Sequence, residues 1–262
     1  MYTPDKFIIT NWCGIPKRFI RRDDGSLAVE RLQEMKDAGV NLIPVSGYGV
    51  GAYDRKTIFE VLTACQKLGL KAQEADERIG KSIQDPEHRR ELLEAVVNDY
   101  SSYPALMTYY ITDEPNVNLF PALADVCQIL KELDPVHETH INIINNYANE
   151  GYWGVPTYEE HIDKYMEIVK PELFSYDYYH FRKGSPVTDD RRYGVFNSEG
   201  VLCEKVDSPG FFDNMEDAYR VSKNADIPFM IVILVLEHVT FRYFTEAELR
   251  WEVFNSLCYG VI

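Results

Sequence analysis

One unit recurs along this chain: a short apolar run closes on polar residues, and an amphipathic stretch follows. The runs are Phe7–Asn11, Val40–Ser46, Leu70–Asp76, Ala105–Thr112, Thr139–Ile144, Leu173–Tyr178 and Pro228–Leu236. With Asn11, Ser46, Asp76, Asp113, Asn145, Tyr178 and Glu237 as strand ends, the intervals are 35, 30, 37, 32, 33 and 59 residues. An interval of roughly 30 residues holds one strand and one helix, and a succession of such units implies a parallel sheet.

Helix punctuation falls where that reading needs it. The stretches near 26–38 and 55–68 stop at Gly39 and Gly69, residues suited to the left-handed position past a helix end. Asp85-Pro86 predicts the start of a helix over 86–100, and Asp134-Pro135 the end of one over 120–133. Further helices are predicted near 158–169 and 212–224, and Thr245-Glu246-Ala247-Glu248 reads as a capping box that opens the last.

Two folds satisfy this order, a (β/α)8 barrel and a doubly wound open sheet. No glycine-rich phosphate loop follows any run, and Gly47-Tyr48-Gly49-Val50-Gly51 lacks the GxGxxG spacing and reads as a turn. The expected fold is therefore α/β, a (β/α)8 TIM-type barrel in a single domain over residues 1–262. Only Cys258–Ile262 follow the last predicted helix, so most or all of strand eight and the final helix are expected to be missing. Such a barrel has an open edge through which it could self-associate.

Composition removes several function classes. With 42 acidic against 27 basic residues the net charge is −15, which repels phosphate backbones and argues against a nucleic-acid partner. The longest apolar stretch, Phe229–Leu236, is too short to span a bilayer, so no membrane association is expected. Met1–Lys6 show neither the charged nor the apolar region of a signal peptide. The expected location is thus the cytoplasm, or the periplasm or exterior if a signal has been removed. Five scattered cysteines without a CxxC pair read as buried thiols rather than a disulfide framework.

Barrels build their active sites at the carboxyl ends of the strands. That makes the run ends the candidates: Asn11 and Trp12; Ser46; Glu74 and Asp76; Asp113, Glu114 and Asn116; Asn145 and Asn146; Asp177, Tyr178 and Tyr179; Glu237 and His238. The inventory holds carboxylates, amides and aromatics, with no serine elbow, no HExxH and no histidine cluster. Glu114 and Glu237 each follow a buried run, where partial desolvation raises a carboxyl pKa. Two such groups facing each other suit glycoside hydrolysis, one protonating the leaving oxygen while the other attacks or activates water. The alternative is that both cap loops or pair with Arg242 or Arg250.

Three segments carry a family resemblance: Met35–Ile43 leading into strand two, Tyr110-Ile111-Thr112-Asp113-Glu114-Pro115-Asn116 at strand four, and Glu237 after strand seven. The stretch from Glu246 to Gly260 adds to it. Together they resemble the clan of retaining (β/α)8 glycoside hydrolases that carry the acid/base after strand four and the nucleophile after strand seven. The resemblance implies Glu114 as acid/base and Glu237 as nucleophile. That clan usually has asparagine before the acid/base, against the hydroxyl next to the anomeric carbon; Asp113 stands there, adding a charge beside Glu114.

Around this pair, substrate contacts are expected from Trp12, Asp76, Asp113, Asn116, Asn145, Tyr178, Tyr179 and His238, with Asn146 a further amide. Tyr178 or Tyr179 would orient the nucleophile. Trp12, Tyr48, Trp153, Phe181 and Tyr243 are candidate stacking faces for sugar rings. The polar segment from Arg182 to Gly210 is long for a βα connection and reads as a lid. No metal and no cofactor is expected, and the partner is a carbohydrate substrate. Two other readings stay open: a catalytically silent carbohydrate-binding barrel, and a hydrolase or lyase using Asp76, Asp113 and Asp177 with Mg2+.

Overall fold

A computed structural model describes residues 7–47, 52–181, 195–196, 202–203, 210–237 and 241–262. The chain divides into two compact units, one made of residues up to 112 with 119–141, the other of 113–118 with 142–262.

The first unit opens with α1 (Lys17–Ile20) and α2 (Val29–Asp37) and alternates strand and helix from there. Its elements are β1 (Leu42–Gly47), α3 (Arg55–Leu68), β2 (Lys71–Asp76), α4 (Glu77–Gln84), α5 (Arg89–Tyr100), β3 (Leu106–Asp113) and α6 (Phe120–Leu133). The strand β4 (Glu138–Ile143) starts here and ends in the second unit, as β3 does at Asp113. β1 and β2 are parallel from Leu42 opposite Lys71 to Gly47 opposite Asp76. β2 and β3 are parallel with a register shift between Ala72 and Gln73, after which Gln73 faces Thr108.

Local chemistry fixes the helix ends. The Asp54 carboxylate caps α3 by accepting from the Thr57 amide, and Gly69 ends it in the left-handed region. Ile58, Val61 and Leu62 of α3, Leu93 and Val96 of α5, and Leu123, Val126 and Leu130 of α6 are buried and form the helical side of this core. Burying such a side chain stabilises the fold by about 1.5–3 kcal/mol.

Two sequence expectations change in this unit. Phe7–Asn11 forms no strand; Ile9 meets the start of β1 through Asn41 N and Leu42 N, while its own amide goes to the Asn41 side chain at 2.9 Å. Phe7 and Ile9 are 46% and 43% exposed, so little burial holds this run to the sheet. The single helix expected over 86–100 is preceded by α4, which starts directly at the strand end because Asp76 also serves as its N-cap, accepting from the Arg78 amide at 2.8 Å.

The second unit continues from the end of β4 through α7 (Glu150–Trp153), α8 (Tyr158–Ile168) and β5 (Phe174–Asp177). An antiparallel pair follows, β6 (Val195–Phe196) with β7 (Leu202–Cys203), then α9 (Phe211–Ala225), β8 (Phe229–Val232) and α10 (Glu246–Cys258). β4 and β5 are parallel with Asn142 opposite Ser175, and β5 and β8 are parallel from Phe174 opposite Phe229 to Asp177 opposite Val232. Phe174 and Tyr176 are buried, as are Ile162 and Tyr165 of α8 and Met215 and Ala218 of α9, and the Phe174 ring meets Tyr165 at 6.3 Å between centroids.

The run expected to continue to Leu236 stops as a strand at Val232, where its partner β5 also ends. Beyond it Val235 and Leu236 are 56% and 52% exposed. At the other edge of β8, Ile262 donates its amide to Phe229 O at 3.1 Å, so the residues expected to enter strand eight lie alongside strand seven. Apart from the β6–β7 pair, the sheet strands of each unit are parallel and follow chain order, the arrangement of a βα fold with strands covered on both faces. Among the described residues no helix is long and apolar enough to cross a membrane.

Candidate active site

In the second unit, β3 gives out at Asp113 and the chain turns sharply at Glu114, whose φ of 43° lies in the left-handed region. A non-glycine residue held there costs about 1–3 kcal/mol, and Pro115 further narrows what Glu114 can adopt. The turn is pinned by Glu114 N donating to Asn142 O at 2.8 Å. Backbone strain persists where surrounding structure enforces it, and it clusters at functional residues. Both Asp113 and Glu114 are exposed.

Polar side chains alternate with apolar ones in the neighbouring strands and so share one face. In β5, Ser175 and Asp177 are polar while Phe174 and Tyr176 are not; in β4, Asn142 sits between Ile141 and Ile143. Ser175 Oγ donates to Asn142 Oδ1 at 2.8 Å, which fixes the orientation of that amide. Asn142 Nδ2 is thereby turned to two carboxylates, Asp113 Oδ1 and Asp177 Oδ1, each at 3.2 Å. Asn145 Nδ2 approaches Asp177 Oδ2 at 3.5 Å.

Asp177 is only 5% exposed. Burial, and then the charge of Glu114, push its pKa well above the ordinary aspartate value; it is hydrogen-bonded to Glu114 and feels Asp113 as well. The result is three carboxyl groups tied together at strand ends, one buried with a raised pKa and two exposed. Chemically this can hold, deliver and take back a proton.

The other expected residues sort by position. Asn145 reaches Asp177 through its amide and accepts Trp153 Nε1 on its backbone oxygen at 3.1 Å. Asn146 ties to α9, its amide donating to Asn214 Oδ1 at 2.8 Å. The Asn116 side chain holds a loop, donating to Tyr152 O at 3.0 Å and accepting from Asn118 N at 3.0 Å. Tyr179 feels Asp177, Asp113 and Glu114, and burial first and these charges next raise its pKa. Tyr178 is fully buried against Tyr147 and Phe211, with ring centroids 5.1 and 5.5 Å away.

Glu237 lies five residues past the end of β8 and is exposed, so the desolvation expected from an apolar run does not apply to it. His238, Tyr48 and most of the segment expected as a lid lie outside the described residues.

In the first unit, Trp12 packs edge-on against Tyr110 at 5.6 Å between centroids. Asp76 is engaged by Arg78, at 2.8 and 2.7 Å, and by Tyr100 Oη at 2.7 Å. Among the described residues no group of three or more His, Cys, Asp or Glu is arranged to hold a metal ion. Of the stacking candidates, Trp153 and Phe181 are buried, whereas Tyr243 is 69% exposed.

Sequence reasoning missed Asn142 and Ser175, and placed Asp177 only among the strand ends and the magnesium alternative. The available signal was the period-2 polarity at the ends of β4 and β5, Asn142 between Ile141 and Ile143, and Ser175 with Asp177 flanking Tyr176.

The sequence matches no family model and no curated protein. Solved structures do resemble it. A proposed alpha-L-fucosidase from Bacteroides thetaiotaomicron superposes with a TM-score of 0.58 at 12% identity, over 98% of this chain and 86% of that one. A beta-galactosidase from the psychrophilic Marinomonas ef1 gives 0.57 at 9% identity, over 89% of this chain and 50% of that one. A family 5 mannosidase from Rhizomucor miehei gives 0.53 at 11% identity, over 86% of this chain and 67% of that one. At such identities the likeness is one of fold, and the fold is the α/β barrel type shared with these glycoside hydrolases.

Proposed function

We propose that this chain is a glycoside hydrolase that cleaves an oligo- or polysaccharide with two carboxylates and retention of configuration. The observation that carries this reading is the strained Glu114, exposed at the end of β3 and hydrogen-bonded to the buried Asp177, whose pKa burial and the Glu114 charge push well above the ordinary aspartate value. Glu114 is the acid/base. It delivers a proton to the glycosidic oxygen as that bond breaks, while the Glu237 carboxylate bonds to the anomeric carbon. Water then attacks that carbon, Glu114 takes the water proton, and the bond to Glu237 breaks. Asn145 and Tyr179, beside Asp177, supply polar contacts to the sugar.

The test uses nitrophenyl glycosides of fucose, galactose and mannose, the sugars named for the similar structures. Release of nitrophenolate from at least one, with the first-formed anomer in proton NMR matching the substrate, is expected. E237Q is expected to abolish turnover and leave the fold intact. The exposure of Glu237 favours a second reading, a carbohydrate-binding barrel without turnover. Sugar binding in calorimetry with no hydrolysis of any glycoside would establish that reading instead.

A further inference from the structure

Asp177 is not needed by a two-carboxylate mechanism, yet Asn142, Asn145 and Glu114 all engage its carboxyl group. It lies at the end of β5, is 5% exposed, and is hydrogen-bonded to Glu114. Asn142 Nδ2 and Asn145 Nδ2 face its two oxygens at 3.2 and 3.5 Å. The Asn142 amide cannot turn over without losing the 2.8 Å bond from Ser175 Oγ, because its oxygen is the acceptor there. Among the described residues, the titratable groups around Asp177 are Glu114 and Asp113 from the end of β3, Tyr158 from α8, and Tyr179 two residues on.

Two carboxyl groups in one hydrogen bond share a proton, since one of them must donate. The proton rests on the partner for which ionisation costs more, and the more buried partner is Asp177. We propose that Asp177 is a positioning residue that stores the single proton of an Asp177–Glu114 pair and donates it in a hydrogen bond to the Glu114 carboxylate.

In the resting pair Asp177 is the acid and Glu114 the anion. As the glycosidic bond breaks, the proton crosses to Glu114 and on to the leaving oxygen, and Asp177 becomes a carboxylate held by the two asparagine amides. The pair then carries two charges. That repulsion makes Glu114 a stronger base toward the attacking water, whose proton restores the resting state. One proton leaves and one returns per turnover.

The proton-flow part rests on the glycosidase reading; the proton sharing does not, and the experiment separates them. Carboxyl-carbon NMR of the full chain, followed from about pH 3 to about pH 9, is expected to show two coupled steps for the pair, with Asp177 losing its proton in the upper one. In E114Q, Asp177 is expected to titrate in a single step. A single Asp177 step at an ordinary aspartate pKa in the wild type would overturn the proposal.

On whichever nitrophenyl glycoside the wild type hydrolyses, D177N is expected to move the basic limb of the kcat/KM profile to lower pH by at least about one unit. Activity at neutral pH then falls about tenfold more than activity at the acid optimum. A uniform loss at every pH would show a structural role and overturn it. If the wild type hydrolyses nothing, the glycosidase reading fails while the NMR titration still decides the shared proton.

Discussion

Glu252 in α10 is 1% exposed, and neither of its carboxylate oxygens is hydrogen-bonded; Glu74 in β2 is fully buried in the same condition. Asp76, two residues after Glu74, is also buried but has Arg78 and Tyr100 on its oxygens and is held below the usual carboxylate range despite burial. The difference is the partner, since desolvation acts on all three. Burial pushes Glu252 up to about 8, and it pushes Glu74 well above the ordinary 4.5, with Asp76 adding to the effect. Such groups leave stability whole below the unfolded value and take it away as pH rises through the folded one. For Glu252 that window runs from 4.5 to about 8. E252Q should therefore match the wild type at the acid end and exceed it increasingly toward pH 8, at up to about 1.4 kcal/mol per pH unit. Urea unfolding at both ends checks this, and E74Q should change in the same direction.

At the scale of elements, the turn that carries Glu114 depends on the loop after α7. Gly154 has a φ of 78°, and a Cβ added there would meet Asn116 Oδ1 at 2.4 Å and Val117 Cγ1 at 2.7 Å. G154A is expected to destabilise the chain by about 2 kcal/mol or more, from the left-handed backbone and the clash together. It should also displace Asn116, two residues from Glu114, and lower turnover; unchanged urea midpoint and activity would refute the coupling.

Elements were most legible where a cap or breaker lay in the sequence. Gly69 ends α3 and Asp134 closes α6 at the residues expected. They were least legible where one residue serves two elements, as Asp76 does for β2 and α4, or where pairing rather than pattern sets the end, as at Val232. A side-chain substitute for a backbone partner is equally invisible to hydropathy, and Asn41 is one at Ile9.

Across the whole molecule, the repeat of runs and helices was enough to give the α/β class, because parallel strands in chain order leave a period of about 30 residues. The site was only half legible. Strand ends led to Asp113, Glu114 and Asn145, since position along a strand is written in the sequence. The orientation of Asn142 by Ser175 and the hydrogen bond from Asp177 to Glu114 are contacts between strands, and no single segment encodes them.

Glu114 is the proton carrier of the proposed reaction, and leaving-group dependence reads that role alone. A dinitrophenyl group departs without protonation, whereas an alkyl alcohol needs it. E114Q is expected to lose about 10²–10⁴-fold in kcat/KM on an alkyl glycoside while the glycosylation step with a dinitrophenyl glycoside of the same sugar stays within about tenfold of wild type. Equal losses on both glycosides, or none on either, would contradict it.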